Sequence, residues 1–186
     1  MIHIFGPHNR APEGMQVINV TSRSREDWSR TLSPFFLGPV ELYDDHVAVR
    51  MENAWQFSKV YPQHVDAHGE PTEQYWKWAR LGWQSSWAHR YPMGRGAKPL
   101  YSWWGGEKLT YVQARRKIYI PLYAQCVRKT EAWQRLQQMY QEQTSLAFWD
   151  FDGYDRGAMT WEQVMDCETK KTGHALVLGM MLEGVV

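Results

Sequence analysis

The sequence predicts a single α+β domain that is mostly helical and carries a small β hairpin or sheet. Apolar residues recur at helical spacing over residues 72–87, 109–129 and 173–182, whereas short alternating segments surround a polar turn nearer the N-terminus. A chain of 186 residues is large enough to bury roughly 70% of the surface that its unfolded form exposes. We therefore expect residues 1–186 to form one domain with its own hydrophobic core.

Charge and hydropathy exclude several classes of protein. The chain has 21 basic and 20 acidic residues and a net charge of +1, so no global field draws it to nucleic acid or to an anionic membrane, and any anion site must be local. No apolar segment approaches the roughly 20 residues of a membrane span. The first residues, MIHIFGPHNR, lack the order of a signal peptide. We expect a cytoplasmic protein with no membrane partner, and its oligomeric state is left open.

The aromatic content is high for a chain of this size. It includes 11 Trp and 10 Tyr, whose NH and OH groups require polar partners when they are buried. A cleft lined with aromatic side chains is the functional interpretation, and packing within the core is the alternative. Cys126 and Cys167 show neither the spacing of a disulfide framework nor that of a zinc site.

In the N-terminal part of the chain, short strands are expected to lead into a helix. Residues 1–16 are rich in Pro, Gly and His without a period, which predicts an irregular arm. A short strand is predicted over residues 17–20. Residues 40–43 and 47–50 alternate apolar and polar side chains, which predicts a hairpin. That hairpin leads directly into a helix over residues 50–61.

The predicted helix over residues 50–61 carries the first candidate site. Glu52, Gln56 and Lys59 are four and then three residues apart, so in a helix they share one face. Trp55 and other apolar residues recur beside them, so the carboxylate would lie against aromatic surface, a setting suited to catalysis. The alternative is an amphipathic helix whose Glu, Gln and Lys form a solvated stripe.

A second candidate site follows the aromatic helix predicted over residues 72–87. Residues 91–106 are rich in Gly and Pro, which argues against regular structure there. Glycine allows backbone NH groups to approach an anion, and Arg95 and Lys98 supply charge, so this loop is a candidate phosphate cradle. Its spacing matches neither of the common glycine-rich phosphate fingerprints. The glycines are equally explained by a need to turn the chain.

The longest helical pattern covers residues 109–129. Pro121 is expected to bend or restart this helix because proline has no NH to donate. Its basic run at residues 115–117 most often forms a solvated face, although one member could turn towards a phosphate.

Two carboxylates follow a strand predicted over residues 146–151. Asp150 and Asp152 would point to the same side of that strand, which places both at a cleft edge. Histidines elsewhere in the chain lack metal-ligand spacing, so no metal site is expected. A capping box at Thr160 starts a further helix, and residues 173–182 predict a buried final helix.

Four short blocks carry a resemblance to a known family. They are Leu32-Ser-Pro-Phe-Phe36, Glu52-x-x-x-Gln56-x-x-Lys59, Phe148-Trp149 with Asp152-Gly153, and Leu178-Gly179-x-x-Leu182. In this order they resemble the Leu-Ser-Asn-Phe-Tyr, Glu-His-Tyr-x-Gln-x-x-Lys, Trp-Gly-x-Gly and Leu-Gly-x-x-Leu motifs of the NADAR proteins. This chain departs from that pattern with Asn53-Ala54 in place of His-Tyr and with Asp150 in place of the first Gly.

The resemblance implies a NADAR-like fold and an N-glycosidase acting on a nucleotide, on an ADP-ribose-containing small molecule or on ADP-ribosylated nucleic acid. Glu52 would be the catalytic carboxylate, with Asp150 and Asp152 as further acidic candidates. The reaction uses water and implies no cofactor. The candidate substrate-binding residues are Gln56, Trp83, Trp87 and Trp149 for the base and Lys59, Arg95 and Lys98 for phosphates.

Two other functions remain open at this point. The same aromatic side chains and loop would suit a non-enzymatic nucleotide or nucleic-acid-binding module, although the balanced net charge argues against an extended polynucleotide groove. A weaker alternative is a protein interface built on the aromatic surface. Release of a free nucleobase from a substrate would distinguish the enzyme from the binding module and from the protein interface.

Overall fold

A computed structural model describes residues 1–11, 13–142 and 145–186. The predicted α+β class is confirmed, with helices and small sheets combined in one domain. The helices are α1 (Asp27–Arg30), α2 (Met51–Gln56), α3 (Glu73–Gln84), α4 (Tyr111–Ala114), α5 (Ile120–Val127), α6 (Glu131–Glu142), α7 (Trp161–Asp166) and α8 (His174–Leu182). A 3-10 turn covers Pro62–His64, and a π-helical turn covers Arg115–Tyr119.

The strands form three small sheets. They are β1 (Ile2–Phe5), β2 (Val17–Asn19), β3 (Val40–Glu41), β4 (Val47–Ala48), β5 (Lys59–Val60), β6 (Tyr101–Trp104), β7 (Glu107–Leu109) and β8 (Leu146–Trp149). The parallel sheet has the order β1-β8-β2, so β8 is its central strand. The predicted hairpin is confirmed as β3-β4, and a third, antiparallel sheet has the order β5-β6-β7.

Two expectations of irregular structure were wrong. Residues 2–5 of the predicted arm form β1, and Phe148 of β8 lies between Ile4 and Ile18 in register. Within residues 91–106, Tyr101–Trp104 form β6 in spite of the neighbouring glycines. Both strands depend on pairing with segments that are distant in sequence, which local composition does not report.

The core is built around α8 and β8. Residues 174–181 are buried around the whole circumference of α8, as the sequence predicted for its final helix. This helix packs on α5 and on β1. Because α8 covers the parallel sheet, the polar residues that follow β8 lie at the first turn of α8.

The long predicted helix over residues 109–129 is interrupted. The capping box of Thr110 starts α4, the π-helical turn follows, and α5 begins at Ile120 immediately before Pro121. Pro121 was expected to bend or restart this helix; it is the second residue of α5, and the backbone stays helical from the π-helical turn into α5. A π-helical turn changes the direction in which side chains project, and such turns are frequent at functional sites.

The short helix α2 lies inside the domain. Every residue from Met51 to Ser58 is buried, and Ala54 and Met51 have no exposed surface. Glu52 and Gln56 are therefore buried and do not form the solvated stripe that was the alternative for Glu52, Gln56 and Lys59. The polar side chains of α2 must find their partners within the protein or in a cavity.

Candidate functional site

A cavity of about 350 Å³ opens beside α2. Segments that are far apart in sequence border it: residues 33–35, helix α2, the loop at residues 90–99, the π-helical turn, and the segments around Asp150 and Thr172. Three of the four sequence blocks, those that begin at Leu32, Glu52 and Phe148, thus contribute residues to one cavity. The fourth block lies in the buried part of α8.

Glu52, Gln56 and Lys59 form a connected chain along one wall of the cavity. Gln56 Nε2 donates a hydrogen bond to Glu52 Oε1 at 2.8 Å, and Lys59 Nζ donates to Gln56 Oε1 at 2.7 Å. The prediction of one continuous helix was wrong at its end, because α2 stops at Gln56 and Lys59 belongs to β5. The three side chains nevertheless meet.

The Glu52 carboxylate is buried and retains one unpaired oxygen. Glu52 is only 6% exposed. Among the described residues its carboxylate accepts one hydrogen bond, at Oε1. Burial raises the pKa of Glu52 above its ordinary value, while the hydrogen bond from Gln56 and the charges of Lys59, Arg90 and His174 act in the opposite direction. A carboxyl group with a raised pKa beside a cavity is a stronger base than an ordinary carboxylate and is suited to accept a proton.

Lys59 is the cation closest to this carboxylate along the hydrogen-bonded chain. Desolvation lowers the pKa of Lys59 to about 8, partly offset by the negative charge of Glu52. Its ammonium group also lies 4.8 Å from the centre of the Trp55 ring, a favourable cation–π arrangement. Lys59 therefore changes charge within a range of pH that is easily reached in solution.

Asp150 lies in the turn after β8 and also borders the cavity. Its Oδ2 accepts a hydrogen bond from the backbone NH of Ala175 at 3.2 Å and lies 3.3 Å from Nδ1 of His174. Nε2 of His174 is 2.7 Å from the carbonyl oxygen of Val20, to which it donates. Gly173 is required for this approach, because a Cβ there would collide with the Asp150 carboxylate.

Asp152 stands nearer the mouth of the cavity and is only half-buried. Arg90 and Lys171 approach its two carboxylate oxygens at 3.4 Å and 3.5 Å. The Arg90 guanidinium also lies 5.2 Å from the centre of the Phe151 ring. Asp150 and Asp152 follow the strand rather than lying in it, but both border the cavity as the sequence predicted.

Tyr119 and Arg115 project from the π-helical turn. Burial raises the pKa of Tyr119 well above its ordinary value, and the charges of Glu52 and Asp150 add to this effect. Its phenol is therefore neutral and available as a donor. The Arg115 guanidinium is 1% exposed and donates hydrogen bonds to the carbonyl oxygens of Val164, Met165, Cys167 and Lys170. The basic residues 115–117 were expected to face solvent. This holds for Arg116 and Lys117, whereas Arg115 is buried.

The predicted tryptophan platforms are not where the sequence suggested. Trp83 is 2% exposed and packs in the core, whereas Trp87 is 79% exposed on the surface. Trp149 is half-buried and contacts Phe151 edge-on, with 4.9 Å between ring centres. The aromatic rings that border the cavity belong to Phe35, Trp55, Tyr61, Tyr91, Tyr111, Tyr119 and Phe151.

Arg95 and Lys98 are not among the residues that border the cavity. Both side chains are exposed, and it is the neighbouring Gly94, Gly96 and Ala97 that border the cavity. The part of the loop from residue 94 to residue 97 therefore presents backbone to the cavity, whereas the charges of Arg95 and Lys98 face solvent. In their place, the cations around the cavity are Lys59, Arg90, Arg115 and Lys171.

Sequence reasoning missed four of the polar residues at this site, namely Arg90, Tyr119, Lys171 and His174. Each belongs to a segment whose local pattern points to packing or to a solvated loop, so no signal in the sequence identifies them. The position of His174 at the start of an apolar helix was visible. Its pairing with Asp150 depends on the contact between α8 and the end of β8.

The described residues contain no group of three or more His, Cys, Asp or Glu side chains arranged to hold a metal ion. Within the same part of the chain, no helix has the length and apolar character that crossing a membrane requires. The cavity is thus bordered by four cations and by the three carboxylates of Glu52, Asp150 and Asp152. The cations outnumber the carboxylates by one, and this balance favours an anionic ligand.

Comparison with known proteins identifies a family but no activity. A family model described as a family of unknown function (DUF6939) matches residues 8–157. No curated protein matches the chain. The matched range includes α2 and both aspartates that follow β8, and it ends before α8.

Proposed function

We propose that this chain, which belongs to a family of unknown function (DUF6939), is an N-glycosidase that hydrolyses the bond between ribose and a base. The substrate would be a nucleotide or an ADP-ribose-type molecule, including an ADP-ribosylated nucleobase. The observation that carries this proposal is the Glu52 carboxylate, which is buried, has one unpaired oxygen and borders a cavity rich in cations. The resemblance of three cavity-bordering blocks to NADAR motifs supports the same activity.

In the proposed reaction, the bond between C1′ and the base nitrogen breaks and its electron pair leaves with the base. The positive charge that develops on the sugar is stabilised by the Glu52 carboxylate. Glu52 then accepts a proton from the attacking water as the water oxygen bonds to C1′. The base nitrogen takes up a proton from solvent, and Glu52 returns its own proton to solvent, so that one water is consumed in all. A raised pKa suits Glu52 to this step because proton transfer is most effective near the operating pH.

Asp150 is a second acidic group for the same reaction. Its Oδ2 is occupied by Ala175 and His174, which leaves Oδ1 without a hydrogen-bond partner among the described residues. We assign Asp150 the role of orienting the ribose or the water. Asp152, which already faces Arg90 and Lys171, would act through those cations on the substrate phosphates.

The substrate contacts are revised by the position of the side chains. Lys59, Arg90 and Lys171 would bind phosphate oxygens, since all three cationic residues border the cavity. Trp55 and Phe151 would provide faces for the base, with Gln56 supplying an amide. Nucleotides of this kind are consistent with the cytoplasmic location expected from the sequence.

The charge of Lys59 predicts a pH dependence of substrate binding. Its pKa is about 8, so Lys59 is cationic below this pH and neutral above it. We expect KM for a phosphate-bearing substrate to rise as the pH passes through about 8, with a smaller change in kcat. Initial rates measured between roughly pH 6.5 and 9.5 would report this change.

Lys59→Arg is the matched control for the pH dependence. Arginine stays protonated throughout this range, so the variant should lose the inflection near pH 8 while still binding phosphate. An unchanged inflection in Lys59→Arg would assign the titration to another group. Lys129→Arg, at an exposed site in the turn after α5, should leave the profile unaltered.

The activity itself is tested by release of a base. The purified protein is incubated separately with NAD, ADP-ribose, ribosylamino-pyrimidines and ADP-ribosylated DNA, and the products are identified by mass spectrometry. The proposal expects a free base and the corresponding sugar in at least one incubation. It is wrong if no base is released from any of these compounds by protein that is shown to be folded.

The alternative is a nucleotide-binding module that performs no chemistry. The same cations and aromatic rings favour binding in either case, so affinity alone does not separate the two functions. The buried carboxylate favours the enzyme, because a site built only for phosphates has no need of a desolvated negative charge. Binding of an intact nucleotide without base release would favour the module.

A further inference from the structure

The loop formed by residues 85–100, named here the rim loop, borders the cavity and exposes aromatic side chains. The rings of Trp87 and Tyr91 belong to residues that are 79% and 43% exposed. Backbone atoms of the same loop line the cavity. Two exposed aromatic rings beside a cavity could contact a ligand that extends beyond it.

The rim loop also lies in a segment whose charged side chains are all basic. Residues 74–106 contain no Asp or Glu, and their basic residues are Lys77, Arg80, Arg90, Arg95 and Lys98. Arg95 and Lys98 form no ion pair with any residue in the described part of the chain. The net charge of the whole chain, +1, conceals this local excess, because the acidic residues lie elsewhere.

Hydrogen bonds from α2 hold the rim loop in place. Nδ2 of Asn53 donates to the carbonyl oxygens of Ser85 and Trp87 at 3.2 Å and 2.8 Å, and Oδ1 of Asn53 accepts from the backbone NH of His89 at 2.9 Å. Asn53 is fully buried. The loop is therefore positioned before any ligand binds, which reduces the entropic cost of binding.

Two guanidinium groups flank the Tyr91 ring. Arg90 lies 5.6 Å and Arg95 lies 5.9 Å from its centre. Arg90 also reaches the cavity, where it pairs with Asp152. Positive charge thus continues from the cavity onto the exposed surface, interleaved with aromatic rings. This combination is typical of surfaces that bind single-stranded nucleic acid.

We infer that the rim loop binds single-stranded nucleic acid, with bases stacked on Trp87 and Tyr91 and phosphates beside Arg95 and Lys98. One nucleotide of the strand would enter the cavity, a point that rests on the function proposed above. A single strand fits better than a duplex, because only unpaired bases offer their faces for stacking. The loop would therefore select a nucleotide within a strand over a free nucleotide.

Fluorescence anisotropy with labelled oligonucleotides of about ten nucleotides, oligo-dT and oligo-U in separate arms, tests this inference without requiring turnover. The natural chain should bind with an affinity that falls as salt is raised. Trp87→Ala should weaken binding roughly fivefold or more, because stacking on an aromatic ring is lost. Arg95→Ala with Lys98→Ala should reduce the slope of log affinity against log salt by about 1 to 2.

Phe36→Ala and Lys129→Ala are matched controls, since both residues are exposed and border a different surface cavity. They should bind as the natural chain does. The inference is overturned if the natural chain does not bind either oligonucleotide at low salt, or if the rim-loop variants bind like the controls. Equal affinity for a blunt duplex or for polyglutamate would also overturn it. None of these results depends on base release, so the proposed activity would stand or fall separately.

Discussion

Replacing Glu52 by Gln is expected to lower kcat by about 10²- to 10⁴-fold, the range associated with loss of a general acid–base group. The substitution keeps the shape of the side chain and the oxygen that accepts from Gln56 Nε2. It removes the negative charge that the proposed transition state requires. KM should change much less than kcat, because the phosphate-binding cations remain in place.

The stability of Glu52→Gln should differ little from that of the natural chain at low pH. A carboxyl group whose pKa is raised in the folded state binds a proton more readily there than in the unfolded state. The natural chain therefore loses free energy of unfolding as the pH rises from about the ordinary value of 4.5 through the folded-state pKa. The variant does not share this loss, although it strands the charge of Lys59 at neutral pH. Thermal melts across this range, on the preparations used for turnover, check the sign.

Glu131→Gln is the matched control for Glu52→Gln. Glu131 also lies in the first turn of a helix, α6, but it is exposed. It should retain both full activity and the natural pH dependence of stability. Full activity in well-folded Glu52→Gln protein would exclude the proposed mechanism, and Asp150 would then be the next carboxylate to replace.

Arg115→Ala is expected to cause the largest loss of stability, about 3–5 kcal/mol. The buried Arg115 guanidinium donates hydrogen bonds to four backbone carbonyl groups between residues 164 and 170. It also lies 4.7 Å from the centre of the Tyr111 ring. Alanine would leave those carbonyl groups unpaired and create a cavity. For a chain of this length the loss corresponds to a decrease in Tm of roughly 6–20 °C, measurable by calorimetry.

Lys117→Ala provides the comparison within the same π-helical turn. Lys117 is exposed and pairs with Glu107 at 2.6 Å, an interaction worth less than about 1 kcal/mol at a surface. Arg115→Lys should recover only a small part of the loss, since one ammonium group cannot reach carbonyl groups spread over residues 164–170. A Tm for Arg115→Ala equal to that of Lys117→Ala would show that other contacts position this segment.

Local periodicity was sufficient for much of the fold. The apolar pattern at residues 173–182 predicted α8, the capping box at Thr160 predicted α7, and the alternating segments predicted the β3-β4 hairpin. These elements are specified by residues that are close in sequence, so their patterns survive without tertiary information. The strands β1 and β6 were missed because their stability comes from partners elsewhere in the chain.

The sequence by itself predicted that Glu52, Gln56 and Lys59 are near one another, since residues three and four apart share one face of a helix, although Lys59 reaches the other two from β5. Only the tertiary structure decided that Glu52 is buried, because burial depends on how α2 is covered by the rest of the domain. The same holds for the pairing of Asp150 with His174 across the domain. Only the tertiary structure decided, too, that Arg90 and Lys171 border the cavity whereas Arg95 and Lys98 do not. The direction in which a loop side chain points is set by contacts at long range, and no local pattern encodes it.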